Sequence, residues 1–252
     1  MRILYDNFID DLDSTAFTVA SQNANYPITN IQDQRLTTEY RTEAVTGQSI
    51  IINLGSATAI NSVAILSHNI SSASTASVIL EANSSNSWPG ATSQTITWNR
   101  DTMLKFFTAE TYQYWKFSFE DPDNTDGYLS FGRIWLGDYL QIDPSCLVGF
   151  KVVKKNSDNI NMGKHRQIFA TPGTTWRRFE MSFPKTAHTT IAEIEDMYDI
   201  VGNHSPVIFC KFDTVRTYQI IEPCYCVIDG EIGFTHEGRQ YYSYSLNLEE
   251  VK

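Results

Sequence analysis

The sequence predicts a mainly β protein with two domains and a single helix. Short segments of alternating apolar and polar residues recur along the 252-residue chain, with turn-forming residues between them. Aromatic residues make up 13% of the sequence, a bias that favours strands over helices. Residues 1–142 hold 15 acidic and 7 basic side chains, whereas residues 143–252 hold 14 and 12. We therefore place the domain boundary near residue 143.

A predicted β-hairpin, residues 112–120 and 129–136, lies at the centre of the N-terminal domain. Trp115, Phe117 and Phe119 occupy alternate positions, so they share the inward face of a strand. Turn residues fill the interval Asp121–Gly127. Each large side chain that is buried contributes about 1.5–3 kcal/mol. We therefore expect this hairpin to anchor a β-sandwich.

The remaining strands of this domain are expected to be short and regularly spaced. The small residues 55–59 predict a turn between the first two of them. The acidic run Asp10–Asp13 is expected to form a solvated turn, because carboxylates this close repel one another; a catalytic acid pair is the alternative. The predicted strands are 49–54, 61–66, 77–82, 94–98 and 103–107.

These residues resemble discoidin-type, galactose-binding-like jelly rolls over about residues 20–140. The resemblance rests on three predicted strands, namely residues 50–55, Tyr114–Phe117 and Arg133–Gly137. It also rests on four positions that follow the first extended segment: Asn30, Asp33, Thr38 and Tyr40. It implies a jelly-roll β-sandwich. Gln34 and Arg35 stand where the family usually has Gly and a second acidic residue, which argues against bound calcium at Asp33. Tyr40 replaces the family's usual Trp.

For the C-terminal domain, residues 143–252, the sequence predicts a β-sheet crossed by one helix. Apolar residues at helical spacing cover 190–201, Thr190 and Glu193 fit a capping box, and Gly202 suits the helix end. The four cysteines are interpreted as buried free thiols. The predicted strands are 148–153, 176–183, 206–212, 217–221, 225–228 and 242–248.

This half resembles the tail-tube-like β-sandwich or barrel of long-tailed bacteriophage tail proteins, of the distal-tail or minor-tail-tip type. The resemblance rests on Ser182-Phe183 before the helix, Phe209–Phe212 after it and the closing run Tyr244–Val251. It implies a structural component of the virion tail that forms a homo-oligomeric ring and docks other tail proteins. Such proteins often carry a carbohydrate-binding module, so the alternative function is recognition of host surface glycans.

Several function classes are disfavoured by the sequence. It contains no nucleophile-elbow, zinc-protease or phosphate-loop motif, and none of its five histidines stands at metal-ligand spacing from another. We therefore expect that the protein is not an enzyme and binds no cofactor. A net charge of −10 argues against nucleic-acid binding. No apolar run reaches transmembrane length, and the N-terminus lacks a signal-peptide pattern, so we expect synthesis in the host cytoplasm without membrane insertion.

Three places are candidates for ligand contact. Trp88, in a polar loop, either contacts a ligand, by stacking on a sugar or inserting into a pocket of a partner protein, or plugs one end of the barrel. Tyr40 and Arg41 are a second candidate, although the core interpretation of Tyr40 is the stronger one. Asp121, Asp123 and Asp126 before Gly127 resemble a calcium loop with displaced spacing, and a polar hairpin turn is the favoured interpretation. The basic run Lys151–Lys155 is expected to be solvated, or to meet an acidic neighbour.

Overall fold

A computed structural model describes residues 1–143, 150–162, 168–211 and 223–251. The chain is mainly β, with antiparallel sheets and one α-helix among these residues. It divides into two compact units. The N-terminal unit is Asp6–Tyr139; the C-terminal unit combines Met1–Tyr5 with described residues after 139. The first five residues thus group with the C-terminal unit, unlike the predicted 1–142 domain, because β1 (Arg2–Leu4) pairs with strands of that unit.

The N-terminal unit is a seven-stranded antiparallel arrangement in the order β3-β8-β4-β7-β5-β6, with β2 paired to β4. Two short 3-10 turns, Ser14–Ala16 and Ile28–Gln32, precede most of these strands. The strands are β2 (Phe17–Val19), β3 (Tyr40–Arg41), β4 (Gln48–His68), β5 (Ser77–Asn83), β6 (Thr92–Thr95), β7 (Thr102–Glu120) and β8 (Ser130–Gly137).

Strands β4 and β7 are long and continuous, which corrects two predictions. Residues 55–59 do not form a turn between separate strands, and 103–107 and 112–120 are parts of the same strand. The β4–β7 register shifts between Asn53 and Thr58, where Gly55 has a φ of 76°. A bulge with glycine in the left-handed region bends a strand without ending it. Composition alone cannot distinguish such a bulge from a turn.

The predicted aromatic face is confirmed as the core of this unit. Trp115 is 1% exposed, and Phe117 and Phe119 are equally buried. The rings of Phe119 and Phe131 lie 4.5 Å apart between centroids, so β7 and β8 are in contact across the interior. The predicted hairpin of 112–120 and 129–136 is wrong, because β7 and β8 do not pair with each other and β4 lies between them in the sheet order. The ends of β7 and β4 and the start of β8 meet at one end of the sandwich, because Asp121 bonds Ser71 and His68 pairs with Phe131.

Asp10 is not the solvated residue that the acidic run predicts. Its carboxylate is paired with Arg133, whose side chain is 1% exposed. Asn7 also donates to Asp10 Oδ1 at 2.6 Å, and Arg133 Nη1 donates to Gln32 O at 2.9 Å. Burial raises the pKa of Asp10 to about 6, although Arg133 acts in the opposite direction. The ion pair therefore ties the N-terminal segment to β8.

The C-terminal unit contains one eight-stranded sheet, in the order β10-β13-β17-β15-β14-β1-β9 with β16 paired to β17, and a separate β11–β12 pair. Parts of the predicted strands 148–153 and 206–212, all of 217–221 and Cys146 lie outside the described residues. The elements are β9 (Leu140–Gln141), β10 (Lys151–Asn156), β11 (Asn159–Met162), β12 (Ile168–Thr171), β13 (Thr175–Ala187), α1 (His188–Val201), β14 (Val207–Cys210), β15 (Cys224–Ile228), β16 (Phe234–Gly238) and β17 (Tyr241–Glu250).

The helix is confirmed, but its predicted start is wrong. Helix α1 begins at His188, and its N-cap Ala187 has no side-chain cap, so Thr190 and Glu193 form no capping box. The start is set instead by β13, which runs through Pro184 by a bulge and leads directly into α1. The predicted apolar face is buried, at Ile191, Ile194, Met197 and Val201.

Cys210, Cys224 and Cys226 are free and buried, as predicted. Among the described residues, no helix has both the length and the apolar character needed to cross a bilayer.

Candidate functional site

Several connecting segments meet at one end of the N-terminal unit and are linked by side-chain hydrogen bonds. Asp121 Oδ2 accepts from the backbone N–H of Ser71 at 2.7 Å, and Asn124 Nδ2 donates to Asn69 O at 2.9 Å. Trp98 Nε1 donates to Ile70 O at 2.9 Å. We call the surface that these segments carry the loop face, defined by Tyr26, Glu39, Arg41, Asn69, Trp98, Asp126 and Tyr128.

Arg41 lies at the centre of an aromatic and charged cluster on the loop face. Its guanidinium carbon is 3.9 Å from the Tyr26 ring centroid and 4.6 Å from the Tyr128 ring centroid. Its Nε donates to Glu39 Oε1 at 2.7 Å, and the Arg41 side chain is 26% exposed. Hydrogen bonding to Glu39 raises the pKa of Arg41, so this side chain is cationic at any ordinary pH.

Tyr40, the neighbouring candidate, points the opposite way. It is fully buried, its ring stacks on Phe131 with centroids 6.2 Å apart, and its hydroxyl donates to Ser21 O at 2.6 Å. Burial also raises the pKa of its phenol well above the usual range. Successive residues of a strand face opposite sides, so β3 presents Arg41 to solvent and Tyr40 to the core. The core interpretation of Tyr40 agrees with this placement, which offers no ring to a ligand.

Trp98 is an exposed aromatic side chain that the sequence did not single out. It is 40% exposed, while its indole N–H is held by Ile70 O. The predicted strand 94–98 would place Trp98 on the same face as the buried Ile96, but β6 ends at Thr95. The polar run Asn99-Arg100-Asp101 directly after Trp98 is the sequence signal for a loop there.

Asn69 and Asp126 complete the polar part of the loop face. Asn69 Nδ2 donates to Asp126 Oδ2 and to Tyr128 O, both at 2.9 Å, and Asn69 Oδ1 accepts from Ser130 N at 2.8 Å. These bonds join the segment after β4 to the segment before β8. They also connect Trp98 to Arg41, because Ile70 follows Asn69 and the Tyr128 ring lies against the guanidinium.

The three carboxylates of the calcium alternative are held by different donors. Asp121 is fully buried against Ser71, Asp123 accepts from Thr75 Oγ1 at 2.5 Å, and Asp126 accepts from Asn69. In the described part of the chain, no group of three His, Cys, Asp or Glu side chains is arranged to hold a metal ion. These carboxylates lie in a polar connection between β7 and β8, which is not the hairpin turn that the sequence predicts, because the two strands do not pair with each other.

The carboxylate of Asp33 likewise accepts hydrogen bonds from a residue of its own turn, Arg35. Arg35 Nε donates to Asp33 Oδ1 at 3.0 Å and Arg35 Nη2 to Oδ2 at 2.6 Å. These hydrogen bonds lower the pKa of Asp33 to about 2. The guanidinium of Arg35 thus supplies the positive charge that a cation would otherwise bring to this carboxylate.

Trp88 lies on the outer face of the β5–β7 pair and not in the end of the barrel. Its half-buried ring is 5.2 Å from Lys116 Nζ, and Lys116 also donates to Glu81 Oε2 at 2.7 Å. Lys116 faces solvent because Trp115 and Phe117 face the core. Trp88 is therefore a surface residue in a different place from the loop face.

The basic run in β10 is largely neutralised within the C-terminal unit. Lys151 Nζ lies 3.1 Å from Glu180 Oε2, and Lys155 Nζ lies 2.9 Å from Glu249 Oε1. An acidic neighbour would therefore have to compete with these internal carboxylates.

Comparison with known proteins gave structural matches only. No family model and no curated protein matches the chain. A chitosan-binding module of a chitosanase/glucanase from Paenibacillus sp. IK-5 is 23% identical, with a TM-score of 0.42, over 53% of this chain and 99% of the module. A fucose-binding module from Streptococcus pneumoniae is 12% identical, with a TM-score of 0.41, over 53% and 95%.

A third match is the family 32 carbohydrate-binding module of NanJ from Clostridium perfringens, solved with galactose. It is 15% identical, with a TM-score of 0.39, over 55% of this chain and 99% of the module. Each of the three modules is thus covered almost completely by about half of this chain. At these identities and scores, the function of this chain has to be argued from its own side chains.

Proposed function

We propose that the N-terminal unit binds a carbohydrate at the loop face. The observation that carries this proposal is the exposed ring of Trp98, fixed by its N–H bond to Ile70 and linked through Asn69 to the Arg41 cluster. Carbohydrate recognition combines an aromatic surface, on which the apolar side of a sugar ring packs, with polar groups that bond its hydroxyls.

The aromatic surface is well suited to stacking because its orientation is fixed. An exposed Trp normally loses rotamer freedom when a ligand binds, and that loss opposes binding. The hydrogen bond from Trp98 Nε1 to Ile70 O holds the ring before any ligand arrives. It also satisfies the only polar atom of the indole, so the rest of the ring is available for apolar contact.

The polar groups are carried by segments that are hydrogen-bonded to the segment holding Trp98. A guanidinium has five N–H donors in a planar fork, and Glu39 accepts from only part of that fork. The carboxylates of Glu39 and Asp126 add acceptors. Donors and acceptors side by side match a sugar hydroxyl, which both donates and accepts.

The segments that carry these groups are stabilised in advance. Asp121 bonds Ser71 at both backbone and side chain, and Asn69 bonds three partners across to the β7–β8 segment. A site whose supporting bonds exist in the free protein loses less entropy on binding.

The test is a glycan array followed by titration of the best-binding glycan with the full-length protein. We expect Trp98→Ala and Arg41→Ala to weaken binding by about tenfold or more, which corresponds to about 1.4 kcal/mol. Trp88→Ala is the matched control, since it removes an indole from the outer face of β5–β7, and it should bind like the wild type. Loss of binding in Trp88→Ala with retention in Trp98→Ala would place the ligand on the outer face and contradict the proposal.

We further propose, as the structural role, a component of a bacteriophage tail that forms a ring of identical subunits and docks other tail proteins in the virion. The motivation is the resemblance of residues 143–252 to tail proteins; the exposed apolar side chains Ile200 and Tyr241, which are 52% and 49% exposed, are positions at which substitution can probe a subunit contact. Mass determination by light scattering, with electron microscopy of tail particles, tests it. A protein that stays monomeric and is absent from tail particles would contradict it.

A further inference from the structure

The C-terminal unit has a depression of about 460 Å³ on the solvent face of its main sheet. Its polar lining comprises Ser182 from β13, Ser243, Ser245 and Asn247 from β17, Thr235 from β16 and Glu231 from the segment before β16. Phe183, Pro184, Gly233 and Tyr244 complete the lining, but the side chains of Phe183 and Tyr244 are buried and present no ring to solvent. Ser182 pairs directly with Ser245, and Thr235 pairs with Ser243, so these side chains are neighbours across three adjacent strands. The volume falls within the range of about 300–1,000 Å³ that is usual for small-molecule sites.

The depression exists because side chains on this face change from long to short along the strands. At one end of the face, Trp176 Nε1 donates to Glu249 Oε1 at 2.6 Å, and Arg178 pairs with Asp229 at 3.0 Å. Further along the same face, beyond Glu180, the outward positions that line the depression include serine on β13 (Ser182) and serine or asparagine on β17 (Ser243, Ser245 and Asn247). Neither type is among the β-branched and aromatic residues that favour strands, so local strand preference does not account for them.

Hydrogen-bonding groups dominate the lining, and its charge is negative. Hydroxyl and carboxamide groups both donate and accept, and Ser182 Oγ lies 3.5 Å from Ser245 Oγ. Ser243 Oγ donates to Glu237 Oε1 at 2.6 Å, which brings a second carboxylate to a side chain of the lining. None of the described residues that line the depression is basic. An anion would therefore bury its charge beside carboxylates without a compensating cation.

From these features we propose that the depression binds one ring of a neutral or amino sugar, by hydrogen bonds and without aromatic stacking. The clustered hydroxyls and Asn247 match a ring that carries several hydroxyl groups. The Glu231 carboxylate favours a protonated amine over an uncharged substituent and disfavours a carboxylate. This site is separate from the loop face and does not depend on it.

The experiment uses three ligands with the same ring and different charge: glucosamine, glucose and glucuronate. Each is titrated into ¹⁵N-labelled full-length protein that carries Trp98→Ala, so that any binding at the loop face is weakened. We expect glucosamine to shift the amide signals of Ser182, Ser243 and Ser245 with a Kd of about 1–10 mM. Glucose should bind more weakly, and glucuronate should leave these signals unchanged.

Two variants and two controls then locate the binding. Ser245→Tyr fills the depression and should weaken glucosamine binding about tenfold or more. The double variant Glu231→Gln/Glu237→Gln should bring glucosamine and glucose to within about twofold of each other, because both carboxylates at the depression are removed. Thr189→Tyr and Glu195→Gln make the same kinds of change at exposed positions of α1, and should bind like the parent.

Three results would overturn the proposal: no shift at the three serines with any of the sugars, equal binding of glucuronate, or full binding by Ser245→Tyr. Melting temperatures of the variants show whether each is folded. Because the Trp98→Ala background is used throughout, failure here leaves carbohydrate binding at the loop face unaffected.

Discussion

Trp98 donates its indole N–H to the carbonyl oxygen of Ile70 at 2.9 Å while 40% of the residue remains exposed. An exposed aromatic ring is thereby fixed to the segment that follows β4. That segment is in turn fastened to the β7–β8 connection by Asp121 and Asn69. Carbohydrate binding at the loop face depends on these linked contacts between Trp98, Ile70, Asn69 and Asp121.

Asp121→Ala should destabilise the N-terminal unit and weaken ligand binding together. The Asp121 carboxylate is fully buried and accepts from Ser71 N and Ser71 Oγ, so its removal leaves buried donors unpaired. We expect a loss of about 1–3 kcal/mol in the free energy of unfolding, measured by denaturant titration. Asp123→Ala, which removes an exposed carboxylate bonded only to Thr75 among the described residues, is the control and should cost less. Equal losses in the two variants would contradict the assigned role of Asp121.

Trp115→Ala should cost about 3–5 kcal/mol through the cavity it leaves in the core. Trp115 is 1% exposed and lies against Tyr112 and Phe107. Tyr114→Ala, on the opposite face of the same strand, should cost less because Tyr114 is only half-buried. Urea unfolding at constant m-value measures both. A loss below about 1 kcal/mol for Trp115→Ala is the result that would remove this residue from the core.

The pKa of Asp10 should be about 6 in the folded protein, against an ordinary value of 3.8. The folded state then holds this proton more tightly than the unfolded chain. The stabilising contribution is complete below pH 3.8 and is lost as the pH rises through 6. An NMR titration of the Asp10 carboxyl carbon measures the pKa directly. In Asp10→Asn this part of the pH dependence of unfolding should be missing, whereas in Asp13→Asn it should remain. A titration midpoint near 3.8 would contradict the prediction.

Calcium should not stabilise the protein. Asp33 is bonded to Arg35, and the carboxylates of Asp121, Asp123 and Asp126 are bonded to separate donors. A ligand that binds only the folded state raises the melting temperature by mass action. We therefore expect the same melting temperature with millimolar calcium and with a chelator, and a rise of several degrees in calcium would show that a site exists.

The fold class and the core could be predicted from the sequence because they follow from local periodicity. Trp115, Phe117 and Phe119 alternate, and Ile191, Ile194 and Met197 repeat at helical spacing, so each set identifies its own buried face. Helix α1 was misplaced only at its start, where β13 continues through Pro184 into the helix. The bulge at Gly55 was also missed, since a glycine among small residues indicates a turn and a bulge equally well.

The site was predicted less completely because it depends on distant residues. Arg41 was identified from the sequence, but its partner Tyr128 is brought to it by the pairing of β3 with β8. The sequence predicts that Trp98 ends a strand; its 40% exposure and its hydrogen bond to Ile70 O are visible only in the structure. Asp10 was expected in solvent because Arg133, its partner, lies far away in the sequence.

The most direct test of the account follows the indole N–H signals of the five tryptophans during titration with a glycan identified on the array. Each signal is assigned by substitution of one Trp at a time. The account predicts that the Trp98 signal shifts saturably while that of Trp88 stays in place. A saturable shift of the Trp88 signal, with Trp98 unchanged, would contradict carbohydrate binding at the loop face.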